Sequence, residues 1–396
     1  MELIFALLFT LLGNANEANN QSVEQLLENA VQFRNSVVAE DTVTYPMDEN
    51  IGTDEWIKRD PQPEGIPAVK GVYSTAYTAN GGDKFDTILK LIDETELNSI
   101  VVDIKDDYGY VTYKAENPEI EKYGNTKPFI KDVSELMNTL EAHDVYPIAR
   151  IVIFKDSVLA KQRPDLSFVN SNGTVWVNGR GDSFVNPYVK EVWEYNVEVA
   201  KEAAKLGFKE IQFDYVRFPE GFEKRADILT YEQQADISRT DIVADFVKYA
   251  REQLNPLGVR VSVDIFGYAA SVPAAEGIGQ DFNKISQYVD VISPMVYPSH
   301  YSTGWFGSTV PDAAPYTTIY GSMMDTHKKL EAIQENKPII RPWIQDFTAS
   351  WVPGYITYGK KEVEEQIRAL IDTGIDEFLL WNAGNRFTPD VNYDLQ

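Results

Sequence analysis

The 396-residue chain has no cysteine, so a disulfide framework, a thiolate metal site and a cysteine nucleophile are all excluded. Histidine is scarce. His143, His300 and His327 are the three present, and no two stand at i, i+4, which excludes a helical His-Glu zinc motif. Basic residues are outnumbered, 36 Lys and Arg against 61 Asp and Glu, for a formal net charge of −25. Nucleic acid and anionic membrane surfaces both select a basic footprint, so neither is expected as a partner. The acidity reads instead as the solubility of an exported protein. With no metal-ligand pattern and no phosphate-binding glycine loop, no cofactor and no metal site are expected.

The longest apolar run is residues 3–12, too short to span a bilayer comfortably. Gly13 and Ala15 place small residues at −3 and −1 of a cleavage site, so 1–15 reads as a signal peptide, although Glu2 stands where a positive charge is usual. A secreted or envelope-associated protein is expected, with no stable membrane insertion once the signal is removed. Residues 16–68 are rich in Asn, Glu and Gln and carry Pro46, Pro61, Pro63 and Pro67; they read as an acidic leader and linker with at most one helix.

From 69 to 396 short β-branched runs alternate with longer amphipathic stretches. The runs are 70–76, 99–105, 146–154, 210–216, 259–267, 290–297, 337–344 and 377–381. Helical patterns fall between them at 84–96, 131–143, 187–206, 240–254, 281–288, 324–335 and 360–373. Leu206-Gly207-Phe208, Pro256-Leu257-Gly258 and Thr373-Gly374-Ile375 repeat one phrase: helix end, glycine, then an apolar strand. Strand–helix alternation makes parallel βαβ units, and eight of them predict a closed (β/α)8 TIM barrel with extended βα loops.

Chemistry in such a barrel sits at the C-terminal strand ends. Those ends carry Tyr73 and Tyr77; Asp103, Lys105 and the run Asp106-Asp107-Tyr108-Gly109; Arg150 and Lys155; Asp214 and Arg217; Asp264 and Tyr268; Met295 and Tyr297; Arg341, Trp343, Gln345 and Asp346; Trp381 and Asn382. Alternation sorts the faces. Val259, Val261, Val263 and Ile265 should meet the helices, leaving Arg260, Ser262 and Asp264 inward. Ile211, Phe213 and Tyr215 should likewise face out, with Gln212 and Asp214 inward. Two adjacent strands thus each aim an Asp at the mouth.

Two inward carboxylates with arginines and a rim of Trp and Tyr suit glycoside hydrolysis, which needs one carboxylate ionised and one protonated. Rings match a sugar's apolar face, and Asp, Asn and Arg bond its hydroxyls. Asp103, Arg150, Arg217, Tyr297, Trp305, Trp343, Asp346, Trp381 and Asn382 are the candidate substrate-binding residues. The Asp106–Gly109 run reads as a solvated turn. Residues 155–186 and 298–322 read as long aromatic loops walling a cleft.

Lys70-Gly71-Val72-Tyr73, Val101-Val102-Asp103-Ile104-Lys105-Asp106, Gln212-Phe213-Asp214-Tyr215-Val216-Arg217-Phe218-Pro219 and Ser293-Pro294-Met295-Val296-Tyr297-Pro298 together resemble the bacterial putative glycoside hydrolase domain family. The resemblance covers roughly 69–390. That family is similar to the alpha-amylase and alpha-galactosidase barrels, where an Asp ending strand 4 is the nucleophile; the matching position is Asp214. Amylase-type enzymes end strand 5 with a Glu acid, where this chain has Asp264. The resemblance implies a carbohydrate substrate, with Asp214 as nucleophile and Asp264 as acid of a retaining hydrolase. The alternative expectation is a non-catalytic carbohydrate-binding barrel of the cell envelope.

Overall fold

The computed structural model describes residues 67–395 apart from 235 and 334–336. The expected signal peptide and nearly all of the expected leader lie outside the described residues.

The strands are β1 (Lys70–Ser74), β2 (Ser99–Lys105), β3 (Tyr146–Val152), β4 (Glu210–Asp214), β5 (Arg260–Phe266), β6 (Val291–Met295), β7 (Ile339–Ile340), β8 (Trp343–Gln345) and β9 (Phe378–Trp381). All pairings between them are parallel. They run β5-β4-β3-β2-β1-β9-β8-β6, with β7 also on β6, and β5 pairs with β6 to close the ring. β7 and β8 are two pieces of one barrel position, parted at Arg341-Pro342. Proline has no N–H to give the ladder, so the strand breaks there. The result is a closed eight-position (β/α)8 barrel.

Helices α1 (Asp83–Asp93), α2 (Val133–Ala142), α3 (Lys190–Leu206), α4 (Arg239–Leu254), α5 (Phe282–Ser286), α6 (Pro315–Leu330) and α7 (Lys360–Asp372) fill the crossovers. Their starts are chemically marked. Asp132 accepts from the Glu135 N–H and Ser238 from the Asp241 N–H. Gly207 closes α3 at φ 109°, a conformation that returns the chain to β4. α6 begins nine residues before the expected helix. Pro315 occupies its first turn, where a missing N–H costs nothing. Tyr316 and Tyr320 are therefore stacked neighbours on a helix rather than loop residues.

Side-chain parity follows the sequence reading. Val259, Val261, Val263, Ile265, Ile211 and Phe213 join the large apolar layer between strands and helices. A second, smaller cluster fills the barrel itself: Val69, Tyr73, Val101, Ile148, Tyr297, Trp343 and Leu379, with Met295 and Trp381 against it. One strand breaks parity. The β2–β3 register shifts between Asp103 and Lys105, so Asp103 pairs with Arg150 while Lys105 pairs with outward-facing Ile151. The extra residue turns Lys105 away from the mouth. Its ammonium lies 2.7 Å from the Asp156 carboxylate, both fully buried beneath α3.

The closed, N-terminal end of the barrel holds another ion cluster. Arg341 donates to Glu377 at 2.6 Å and to Glu210 at 2.7 Å, all three out of solvent. Arg341, expected at the mouth, thus lies at the end of a TIM barrel that carries stability rather than chemistry.

Candidate active site

Arg150 organises the open end. It projects inward from β3 and is 1% exposed. Nε and Nη2 both donate to Asp214 Oδ2, at 3.0 and 2.5 Å, while Nη1 donates to Asp103 Oδ1 at 2.6 Å and Asp107 Oδ2 at 3.2 Å. One guanidinium therefore holds carboxylates from β4, from β2 and from the loop after β2. A planar, permanently charged fork is the side chain suited to that task. Tyr73, from β1, donates its hydroxyl to Asp103 Oδ2 at 2.6 Å.

Asp214 has a third donor. The backbone N–H of Tyr215 reaches its Oδ1 at 2.5 Å. That bond exists because the chain turns left-handed at Tyr215, φ 52°, directly after the strand. A bulky residue at positive φ is held there by its surroundings. The Tyr215 ring has the Lys155 ammonium 4.7 Å away and the Arg217 guanidinium 4.9 Å away. Arg217 also lies 4.5 Å from the Phe266 ring and donates to the Phe218 carbonyl and to Glu220. It braces the turn that presents Asp214 and makes no bond to Asp214 itself. Tyr215, expected simply to face the helices, is instead half in that layer and half part of the mouth.

Asp264, 2% exposed on β5, accepts from the Trp343 indole N–H at 2.7 Å. Burial, reinforced by the negative charge of nearby Asp214, pushes its carboxyl well above the usual range. Asp103 is pushed up to about 6, burial outweighing the opposing pull of Arg150. Burial also acts to raise Asp107, but Arg150 and Lys155 overcome it, and its carboxyl ends below the usual value. The inner carboxylates thus differ in their hold on a proton, as acid–base pairs in one site must.

Aromatic rings roof the cluster. Tyr73 stacks on Trp381 with centroids 4.1 Å apart, Trp343 meets Trp381 edge-on at 5.5 Å, and Arg150 lies 5.6 Å from the Trp381 ring. Tyr297 approaches Trp381 at 6.4 Å and His300 at 5.2 Å. Burial pulls His300 down to about 4, leaving a neutral imidazole at the rim.

Of the expected site residues, Asp214, Asp264, Asp103, Arg150, Tyr297, Trp343 and Trp381 converge, with Arg217 bracing Asp214. Three do not. Trp305 packs on Tyr301 and Phe306 in the loop after β6. Asp346 accepts from the Thr388 N–H and hydroxyl, and Asn382 donates to the Asp346 and Arg386 carbonyls, so both fold the C-terminal segment. The aromatics of 155–186 are also spent on packing: Phe168 sits among Phe218, Phe222 and Tyr231.

Tyr73, Asp107 and Lys155, named at the strand ends but not among the candidate substrate-binding residues, also belong to the site. Inward parity at Gly71 and Tyr73 signals the first. In the loop after β2, Asp106 forms the turn by accepting from the N–H groups of Tyr108, Gly109 and Tyr110, which frees Asp107 for Arg150 and Lys155. Among the described residues no group of three His, Cys, Asp or Glu is arranged to hold a metal. Two clefts beside α4, one of about 390 Å³ toward α3 and one of about 550 Å³ toward α5, lie away from the carboxylates.

No curated protein sequence matches the chain. Among solved structures, a hypothetical protein from Ruminiclostridium thermocellum shares 36% identity over 49% of this chain and 96% of its own, with a TM-score of 0.45. The glycoside hydrolase domain of PgaB (BpsB) from Bordetella bronchiseptica shares 13% identity over 81% of this chain and 95% of its own, with a TM-score of 0.54, a likeness of fold. The Bacillus megaterium spore cortex-lytic enzyme SleL shares 12% identity over 83% and 73%, with a TM-score of 0.48. Residues 71–387, nearly the whole described barrel, match the family model described as putative glycosyl hydrolase domain, and the chain belongs to that family.

Proposed function

We propose that this protein is a secreted or envelope-associated glycoside hydrolase that cleaves a bacterial cell-wall or extracellular polysaccharide by a retaining, two-carboxylate mechanism. The observation that carries the reading is the opposite treatment of two buried carboxylates on adjacent strands. Asp214 receives donors only, from Arg150 and the Tyr215 N–H, which suits an ionised nucleophile. Asp264 is pushed toward its protonated form by burial and by Asp214, which suits an acid.

In the first step an Asp214 oxygen bonds to the anomeric carbon as the glycosidic C–O bond breaks, and Asp264 gives its proton to the departing oxygen. In the second, Asp264 takes a proton from water, the water oxygen bonds to the anomeric carbon, and the bond to Asp214 breaks. Arg150 keeps Asp214 aimed, and Asp103, with Tyr73 behind it, is placed to accept from a substrate hydroxyl. Export of the chain and the polysaccharide as substrate are supported by the N-terminal pattern Gly13-Asn-Ala15 and by the aromatic rings around the carboxylates.

A panel of wall and exopolysaccharide glycans, assayed for released reducing ends, tests the reading. Proton NMR of the first-formed product should show the substrate's own anomeric configuration. An inverted anomer would remove the nucleophile role from Asp214. Glycan binding without released ends would point to a non-catalytic barrel.

A further inference from the structure

The ring of strands has a seam at its open end. β4 and β5 pair as far as Phe213 and Val263, so Asp214 and Asp264, the next residues, stand beyond the last rung between them. Each is laddered to its other neighbour instead. Asp214 pairs with Val152 of β3, and Asp264 with Ser293 of β6 in a ladder that runs on to Phe266 and Met295. One side chain bridges the seam. Gln280, 1% exposed in the loop before α5, accepts from the Phe266 N–H at 3.1 Å through Oε1 and donates to the Val216 carbonyl at 3.5 Å through Nε2. Its two anchors each lie two residues past an Asp. Its own main chain is held by bonds with Ala275 at 2.8 and 3.2 Å, and the Phe218 N–H meets the Ile278 carbonyl of the same loop at 2.8 Å. A carboxamide carries an acceptor and a donor on one plane, so it can take an N–H from one strand exit and give one to the other.

We infer that Gln280 is a positioning residue that fixes the separation of Asp214 and Asp264, and with it the retaining course of the reaction. This role rests on the hydrolase reading and adds what sets its geometry. Retaining glycosidases hold their paired carboxyls about 5–5.5 Å apart and inverting ones about 6.5–9.5 Å, so a small widening of the seam is felt in the chemistry. It is also felt by the proton. Asp264 is faced by Asp214 and Glu210 of β4, Arg150 of β3, the Trp343 indole of β8 and Tyr297 just past β6. Glu210 is held by the β4–β5 ladder, whereas Asp214 lies past its end. The repulsion from Asp214 outweighs the pull of Arg150, which is bonded to it. Letting the pair recede therefore relaxes Asp264 toward the ordinary carboxylate range.

The test uses the full chain and two variants. Gln280→Met keeps the bulk and removes both bonds. Gln280→Glu keeps the acceptor for Phe266 and has a donor for Val216 only while protonated. The Trp343 indole N–H resonance, assigned with Trp343→Phe, follows the titration of Asp264 with no substrate present. Hydrolysis is read as reducing ends released from peptidoglycan, partially deacetylated chitin and amylose. Gln280→Met should lower the midpoint of the indole titration and cut kcat about tenfold or more, with KM within about twofold of wild type. Gln280→Glu should approach the wild-type kcat at acid pH and fall behind as pH rises. A folded Gln280→Met protein with the wild-type midpoint overturns the role of Gln280 and leaves the hydrolase reading standing. A lowered midpoint with unchanged kcat overturns its bearing on the reaction. A lowered midpoint in a chain whose wild type hydrolyses none of the three glycans overturns the hydrolase reading and keeps Gln280 as the bridge. Should Gln280→Met fail to fold, Gln280→Glu decides: a kcat ratio to wild type that does not change with pH overturns the role.

Discussion

Replacing Arg150 with methionine gives the most demanding check on how the mouth is held together. The variant keeps the side chain's bulk and removes its charge. It leaves Asp103, 4% exposed, and Asp214, 5% exposed, without the cation that binds both, and takes one of two cations from Asp107. Losing one partner of a buried ion pair costs about 3–5 kcal/mol, chiefly because the remaining charge is stranded. Asp103 sets how that cost varies with pH. Folded, it keeps its proton up to about pH 6, whereas an unfolded Asp releases it near the ordinary value of about 3.9. The native state therefore holds more protons between those values, and the Asp103 contribution to stability falls as pH rises through the window, by about 3 kcal/mol in total. Arg150 acts to lower Asp103, so without it the group titrates higher still and the loss extends to higher pH. At pH 5 Asp103 is largely protonated in both proteins and its share of the difference disappears. Guanidinium unfolding should thus place Arg150→Met about 3–5 kcal/mol below wild type at pH 7.5 and closer to wild type at pH 5. A difference that is independent of pH, or that grows on acidification, would refute this account of the cluster.

Three further outcomes follow from named contacts. Trp343→Phe removes the indole donor that favours ionised Asp264, so the Asp264 carboxyl should rise further; activity that needs its proton is lost as pH increases, and the alkaline limb of kcat/KM should move to higher pH. Lys105→Met strands Asp156 and should cost about 3–5 kcal/mol of stability while kcat of the folded protein stays near wild type, because the bulge points Lys105 away from the mouth. Gly109 and Gly81 share φ 100°, but a Cβ on Gly109 would fall 1.9 Å from Asp156 Oδ1 whereas one on Gly81 meets nothing; Gly109→Ala should therefore lower the melting temperature clearly more than Gly81→Ala.

The barrel and the inner carboxylates were legible in the sequence because both follow from strict local patterns. Helix–glycine–strand phrases gave the alternation, and the two-residue period of β4 and β5 sent Asp214 and Asp264 inward. What escaped depends on single-residue departures from those patterns. A one-residue bulge moved Lys105 out of the mouth. Pro342 split a strand and left Arg341 at the closed end. Pro315 started α6 early and took Tyr316 and Tyr320 out of the loop. Asp346 and Asn382 stand at strand ends like the others, but Thr388 and the carbonyl of Arg386 engage them, and those contacts are set by a C-terminal segment whose path no periodicity announces. Asp107 lies next to Asp106, and only the folded turn decides which of the two carboxylates caps it.

The account stands most directly on Asp214. Asp214→Asn keeps the side chain's shape and an oxygen that can accept from Arg150, although its NH2 then faces the Tyr215 N–H; Arg150 retains Asp103 and Asp107, so a folded protein is expected, as judged by circular dichroism and melting. On whichever glycan the wild type hydrolyses, the variant should lose at least roughly 10³-fold in kcat, with binding of that glycan preserved. A folded Asp214→Asn protein that hydrolyses the same glycan at the wild-type rate would contradict the central claim.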